Sequence, residues 1–199
     1  TCHLIGLLST GGVHSHQSHI IALANLLVSA GVQVKLHIIL DGRDVPPKSA
    51  ATFIKSLHNA LSNPISSQVV SLCGRYYAMD RDQRWERVKL AYQTIVTGEG
   101  KRFNDAQEAL DQAYANDETD EFVTPRLIGD YKGMRNGDGI FMANFRSDRA
   151  REILSALIDP EFSGFNRGIP IKFAAASGLV QYSSNLAPLM TALFPPLQL

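Results

Sequence analysis

Cysteine is scarce in this chain: 199 residues hold two, Cys2 and Cys73. That is too few for a disulfide scaffold. Both sit in or beside apolar runs and are expected to be buried free thiols in a reducing compartment. Net charge is missing as well, because 19 Lys and Arg balance 19 Asp and Glu. Nothing global draws the chain to nucleic acid or to a membrane, and neither is expected as a partner. No apolar stretch approaches the roughly 20 residues needed to span a bilayer. No basic region precedes an apolar one at the N-terminus, as it would in a secretory signal. A cytoplasmic location is the expectation. A Walker loop, a dinucleotide fingerprint and a nucleophile elbow are all absent, which removes the sequence grounds for the classes they mark. There is no internal repeat, low-complexity tract or flexible linker.

What is present is an ordinary globular composition, 45% hydrophobic and 19% charged, with a skew toward arginine. The chain has 12 Arg against 7 Lys, and arginine's rigid fork of donors matches carboxylate and phosphate oxygens. The length suits one sizeable core, and a single α/β domain over residues 1–199 is expected. The chain opens on Thr1 and closes on a Pro-Pro-bearing segment, so it reads as a piece of something larger.

Apolar runs and amphipathic stretches alternate. Runs at His3–Leu8, Val34–Leu40, Val69–Cys73, Ile140–Ala143 and Ile171–Ala176 read as strands. Helical faces appear at Ile20, Leu23, Ala24 and Leu27, then at Phe53, Ile54, Leu57 and Leu61, where Ser49 is placed to cap. Further helices are expected over Arg84–Val96, from an Asn104 cap to Tyr114, and over Ser147–Ile158. Gly31 stands at a helix end. This alternation predicts a mostly parallel sheet flanked by helices with right-handed crossovers. Residues 117–139 are polar and turn-rich, and predict a small irregular or hairpin insertion, with the hairpin around Arg126–Ile128.

In such sheets ligands bind outside the carboxyl ends of the strands. Three arginine-bearing motifs fall there: Asp41-Gly42-Arg43-Asp44, Gly74-Arg75 through Asp80-Arg81, and Asn144-Phe145-Arg146-Ser147-Asp148-Arg149. Arg43, Arg75, Arg81, Arg146 and Arg149 therefore converge on one edge with Asp44, and suit a small, multiply anionic molecule. Arg43 and Asp44 could instead simply pair at the surface. Otherwise Asp44 would serve a substrate hydroxyl as acceptor or proton carrier. Arg84 and Arg87 at a helix start need an anion or Asp80 and Asp82 to offset them. Arg146 and Arg149, if helical, share a face, with helix-start amides adding anion affinity. Asp148 is expected to cap or to orient an arginine. Gly11-Gly12 lets backbone approach a ligand, and His14 can donate to an anion or move protons. His14, His16 and His19 raise a metal-dependent hydrolase, but no acidic partner stands at ligand spacing, so no metal is expected in this chain.

Gly-Gly-Val-His-Ser-His at 11–16, Leu-Asp-Gly-Arg-Asp at 40–44, Gly-Arg-Tyr-Tyr-Ala-Met-Asp-Arg-Asp at 74–82 and Asn-Phe-Arg-Ser-Asp-Arg at 144–149 resemble the 2,3-bisphosphoglycerate-independent phosphoglycerate mutases. Arg84-Trp85-Glu86-Arg87-Val88 and Asp120-Glu121-Phe122-Val123 match too, in order along the chain. The resemblance implies that this is the inserted transferase domain of such an enzyme. The phosphatase-like domain of the same polypeptide would carry the phosphorylated serine and two manganese ions. It implies 2-phosphoglycerate and 3-phosphoglycerate as partners, held by His14, Arg43, Asp44, Arg75, Arg81, Arg146 and Arg149, with Asp44 catalytic. The chain alone is expected to be inactive, to hold no cofactor and to be a monomer. The alternative is a non-catalytic binding module for small phospho-acids.

Overall fold

The alternation of apolar and amphipathic segments folds as alternating strands and helices in a computed structural model that describes residues 1–196. β1 (Cys2–Leu7) leads to α1 (Gln17–Ser29), and β2 (Val34–Leu40) to α2 (Ala50–Ala60). β3 (Ser67–Gly74) leads to the single-turn α3 (Arg75–Ala78) and then to α4 (Trp85–Tyr92). The chain continues through β4 (Lys101–Phe103), α5 (Ala106–Ala115), β5 (Arg126–Ile128), β6 (Gly139–Met142), α6 (Arg151–Ile158), β7 (Ala175–Gly178) and β8 (Thr191–Ala192). The strands form one sheet in the order β4-β5-β3-β2-β1-β6-β7-β8. Every neighbouring pair is parallel except β3 and β5.

The strand residues are apolar on both faces because helices cover both. Leu4, Leu36, Ile38 and Leu40 pack with α1, α2 and α5. Ile5, Leu7 and Ile39 point the other way, into a cluster with Val88, Tyr92, Ile153, Leu157 and Tyr182. Cys2 and Cys73 are buried and free, and burial pushes their thiols up to about 11 and about 12. No helix among the described residues is long and apolar enough to cross a membrane.

Several boundaries differ from the sequence expectation, each for a tertiary reason. The helix expected from Ser147 begins at Arg151. The Phe145 and Arg146 amides instead donate to the His14 carbonyl, at 2.8 and 3.3 Å. Arg146 and Arg149 therefore lie before the helix, and neither a shared helical face nor helix-start amides apply to them. The segment at 117–139 is largely irregular, and its strand β5 forms no separate hairpin but pairs between β3 and β4 in the main sheet. The last strand of the expectation, at Ile171–Ala176, is displaced to Ala175–Gly178, while Ile171 and Phe173 pack sideways on the second cluster. The helix after Arg84 changes after Tyr92 to a π-turn, Gln93–Thr97, that closes at Gly98.

Capping differs in the same way. Ser49 precedes α2 but its hydroxyl donates to the Pro46 carbonyl, and the Asp120 carboxylate accepts from the Ser49 and Ala50 amides instead. Asp105, not Asn104, caps α5: it accepts from the Glu108 amide, while Glu108 accepts from the Asn104 amide, one residue before the cap.

β3, β2, β1 and β6 are adjacent and parallel, so their carboxyl ends share one edge of the sheet. The chain order reverses direction across the sheet between β1 and β6, the kind of switch point at which α/β sheets open a crevice. A short turn at Asp120–Phe122 straps the outer half of this edge. It passes so close to β3 that a Cβ on Gly74 would lie 2.1 Å from the Glu121 carbonyl oxygen. Gly42, at φ 64, meets the same turn, where a Cβ would fall 2.8 Å from the Glu121 amide nitrogen. Both glycines are thus demanded by backbone-to-backbone approach. Gly74→Ala is expected to destabilise the chain by about 1–3 kcal/mol through overpacking, read as a lower midpoint in urea unfolding. An unchanged midpoint would show that the turn lifts away freely.

Candidate functional site

The carboxyl-edge loops build an inner layer of buried charge. Arg75, at the end of β3, is only 4% exposed. Its Nη1 donates to Asp41 Oδ1 at 2.8 Å and to Asp44 Oδ2 at 2.6 Å. Asp41, at the end of β2, also accepts from the Ser9 hydroxyl at 2.6 Å and from the Arg43 and Asp44 amides. Burial alone would raise its pKa. The Ser9 hydroxyl, the Asp44 amide and Arg75 outweigh that and hold it below the usual carboxylate value. Asp41 therefore stays ionised and ties the ends of β1, β2 and β3 together. Both contacts of Arg75 run through one nitrogen, so the rest of its fork is not consumed by them.

An outer layer lies at the β1–β6 switch point. Asp148 Oδ2 accepts from Arg81 Nη1 at 2.9 Å, and its Oδ1 from Arg146 Nε at 3.1 Å. Both arginine side chains are about half exposed, at 48% and 51%. Asp148 Oδ1 also lies 3.8 Å from His14 Nδ1. His14 is buried, and that nitrogen has no hydrogen-bond partner. Burial first, and then the Arg75 charge, lower the His14 pKa, which leaves a neutral imidazole able to donate or to accept. Arg43 is exposed and pairs with Glu121 at 3.3 Å. Arg149 donates to the Met79 carbonyl. Burial, followed by the charges of Arg81, Arg75 and Arg43, pulls its pKa below the ordinary arginine value, so the carboxylates do not fully offset the positive potential around it.

A polar cavity of about 290 Å³ opens beside Arg75, lined by Arg43, Arg75, Tyr76, Arg84, Arg87 and Arg149 among others, while His14, Asp44, Arg81 and Arg146 lie off its wall. Arg87 stacks on Tyr76 with its guanidinium carbon 3.8 Å from the ring centroid. The cavity between α1 and the 179–194 segment is larger, about 430 Å³, but is lined by apolar side chains and His19. Charge, not size, distinguishes the arginine crevice. His16 serves the start of α1, where its Nδ1 accepts from the Ser18 amide. No group of three or more His, Cys, Asp or Glu among the described residues is placed to hold a metal ion.

Each residue singled out in the sequence thus stands on this edge. His14, Asp44, Arg75, Arg81 and Arg146 are linked through Asp41 or Asp148, while Arg43 and Arg149 stand on the cavity wall. Arg43 and Asp44 do not pair with each other; their partners are Glu121 and Arg75. Asp148 orients arginines, and Asp80 bonds to Arg84 and lies 3.7 Å from Arg87, offsetting both at the helix start. Sequence reasoning missed the role of Asp41, although an aspartate closing a buried strand just before a glycine turn was the available signal. Ser9 and Tyr76 carried no comparable signal.

A doubly wound α/β sheet with a basic, carboxylate-braced crevice at its switch point belongs to the class of proteins suited to small polyanions. The family follows from comparison: the chain belongs to the 2,3-bisphosphoglycerate-independent phosphoglycerate mutase family, and the model described as "BPG-independent PGAM N-terminus" matches residues 1–184. It is 50% identical over 199 residues to the 2,3-bisphosphoglycerate-independent phosphoglycerate mutase of Gluconobacter oxydans, covering all of this chain and 39% of that protein. It is 53% identical over 196 residues to the mutase of Rhodopseudomonas palustris, covering 38% of it. A crystal structure of Leishmania mexicana phosphoglycerate mutase at low cobalt concentration superposes with a TM-score of 0.90 at 31% identity, over 98% of this chain and 38% of that one. The chain therefore spans well under half the length of these relatives.

The layers predict unequal costs. Asp41→Ala leaves a buried guanidinium short of its more buried counter-charge, with Asp44 alone to meet it, and should cost about 3–5 kcal/mol of stability. Arg146→Ala breaks a half-exposed pair and should cost less than about 1 kcal/mol. Urea unfolding of both variants checks the contrast, and equal losses would show that the layers are held alike.

Proposed function

We propose that this chain is the substrate-holding domain of a phosphoglycerate mutase that interconverts 3-phosphoglycerate and 2-phosphoglycerate. The observation that carries this reading is the gathering of His14, Asp44, Arg75, Arg81 and Arg146 at one carboxyl edge of the sheet, in a chain of this family. Phosphoglycerate presents a carboxylate and a phosphate. Arginine forks left partly free by Asp41, Asp44 and Asp148 suit both groups. Arg43 and Arg149, on the wall of the adjoining cavity with Arg75, would complete the clamp.

In this reading the phosphoryl group passes to a serine on the phosphatase-like domain of the same polypeptide. The glycerate is then turned without leaving, and its other hydroxyl takes the phosphoryl group back. Asp44 has one oxygen on Arg75, and its side chain is 16% exposed. It is the group here that would take a proton from the attacking hydroxyl and return one to the departing oxygen. His14, neutral and with an open Nδ1, would donate to a ligand oxygen or accept from a hydroxyl. The two manganese ions belong in this reading to the phosphatase-like domain, since the described residues offer no fitting donor set. The chain alone would bind without turning over, as a monomer in the cytoplasm.

The test has a binding arm and a kinetic arm. Calorimetric titration of 3-phosphoglycerate should show Arg81→Ala and Arg146→Ala weakened roughly ten- to a hundredfold, the worth of a charge-assisted contact at about 1.5–3 kcal/mol. In the whole polypeptide, Asp44→Asn should lower kcat more than it raises KM and should release free phosphate as the phosphoserine hydrolyses. Wild-type kcat in Asp44→Asn would make Asp44 a partner of Arg75 only. Turnover by the chain alone, tracking its purification, would overturn the division of labour.

A further inference from the structure

Arg81 rides on a short loop, residues 80–84, that has little apolar anchorage of its own. Two buried carboxylates hold it. Asp80, 4% exposed, accepts from the Asp82 and Arg84 amides through Oδ2, at 3.0 and 2.9 Å. Glu152, on α6 and 9% exposed, accepts from the Gln83 amide at 2.8 Å through Oε1. Gln83 sits at φ 58, a conformation that a non-glycine residue holds only when its surroundings impose it. The Gln83–Glu152 bond is part of that imposition.

The other oxygen of Glu152 has no donor. Oε2 is buried and unpartnered, and the neighbouring Asp80 carboxylate, which holds the same loop, is a second acceptor and not a donor. Two neighbouring buried carboxylates cannot both remain ionised without cost, and a proton between them removes the conflict. We propose that Glu152 is a positioning residue for the Arg81 loop, acting through a proton that its Oε2 shares with Asp80.

The surrounding charges assign that proton. Asp80 and Asp82 face Glu152 from the loop, while Asp80 bonds to Arg84 at the start of α4 and lies 3.7 Å from Arg87 within it. On its own helix, Arg151 is engaged by the Tyr182 carbonyl and the Ser147 hydroxyl. Asp80, with amide and arginine donors, is held below its usual pKa although burial opposes this. Burial first, and then the Asp80 charge, push the Glu152 carboxyl up to about 7, against the pull of the Gln83 amide. The proton therefore stays on Glu152, and its O–H donates to the Asp80 carboxylate. The sign follows from linkage: the anchor is complete below the unfolded-chain value of 4.5 and is lost as pH rises through about 7. Above that, an ionised Glu152 repels Asp80 and the loop loosens. The consequence for ligand rests on the reading of Arg81 as a phosphoglycerate contact.

Glu152→Gln fixes the protonated form, because its amide donates permanently to Asp80 while its carbonyl keeps the Gln83 bond. Asp80→Asn supplies the missing donor from the other side. Hydrogen exchange at the Asp82, Gln83 and Arg84 amides, in wild type relative to each variant at the same pH, reads the loop. Between about pH 6 and about pH 8.5, wild-type protection should fall about tenfold relative to both variants, with circular dichroism confirming their fold. A ratio that stays flat with pH against both overturns the proposal. Titration of 3-phosphoglycerate reads the second link, where the wild-type affinity should fall against that of Glu152→Gln over the same range. Measurable binding with a flat ratio would detach Glu152 from Arg81's function. Absence of binding in both proteins would sink the phosphoglycerate reading instead, and hydrogen exchange would still decide the anchor.

Discussion

A guanidinium buried at the end of β3 has to be met by a carboxylate, and the geometry of the carboxyl edge depends on how Asp41 meets it. Asp41 accepts from Ser9 after β1, from Arg75 after β3 and from the amides of its own turn after β2. Three strand ends are thereby set relative to one another by a single side chain. Such a pair is weak as a source of stability, because desolvating both charges offsets most of their attraction. Its effect is on geometry: any shift that separates Arg75 from Asp41 leaves the buried guanidinium with Asp44 as its one carboxylate partner and Asp41 without its counter-charge. Asp44 receives its orientation from the same contact, and so does the position of anything that Asp44 touches.

The opposite half of the crevice follows another rule. Arg81 and Arg146 come from loops after different strands and are joined by Asp148, which lies partly in water. Pairs of this kind contribute little to stability and rearrange at small cost. Like charges that would otherwise repel are gathered beside His14 without being locked there.

The parts legible in the sequence are those whose cause is local. The strands β1, β2, β3 and β6 announce themselves as apolar runs, and the motifs behind them as turns rich in arginine, so the edge and its residues follow from the order of segments. The parts that were not legible have distant causes. β4 is three residues long, too short for any periodicity; β5 is expected at Arg126–Ile128, but not its place in the main sheet, where Arg126 is buried because Glu118 and the Ala109 carbonyl bond to it. The cap of α2 arrives from Asp120, far along the chain. The late start of α6 accompanies the binding of the Phe145 and Arg146 amides by the distant His14 carbonyl, which fixes the chain just before Ser147. Asp105 is different: a Glu stands three residues on, at the spacing that marks a helix start, and that signal was present in the sequence.

The two halves of the crevice differ in a way that bears on a reaction in which the ligand turns over without leaving. A clamp rigid throughout would fit one orientation of the glycerate and resist the other. A clamp loose throughout would let it escape between the two phosphoryl transfers. Here the Asp120–Phe122 turn presses on Gly42 and Gly74, and Asp41 braces Arg75, so the side that presents Asp44 is held by backbone contact and buried charge. On the other side the Arg81 backbone is anchored through Asp80 and Glu152, but the half-exposed side chains of Arg81 and Arg146 meet one partly exposed carboxylate, Asp148, and can follow a moving anion with their remaining donors. In the proposed reaction the proton carrier thus keeps its place, and the anion-holding forks are free to change which oxygen they grip.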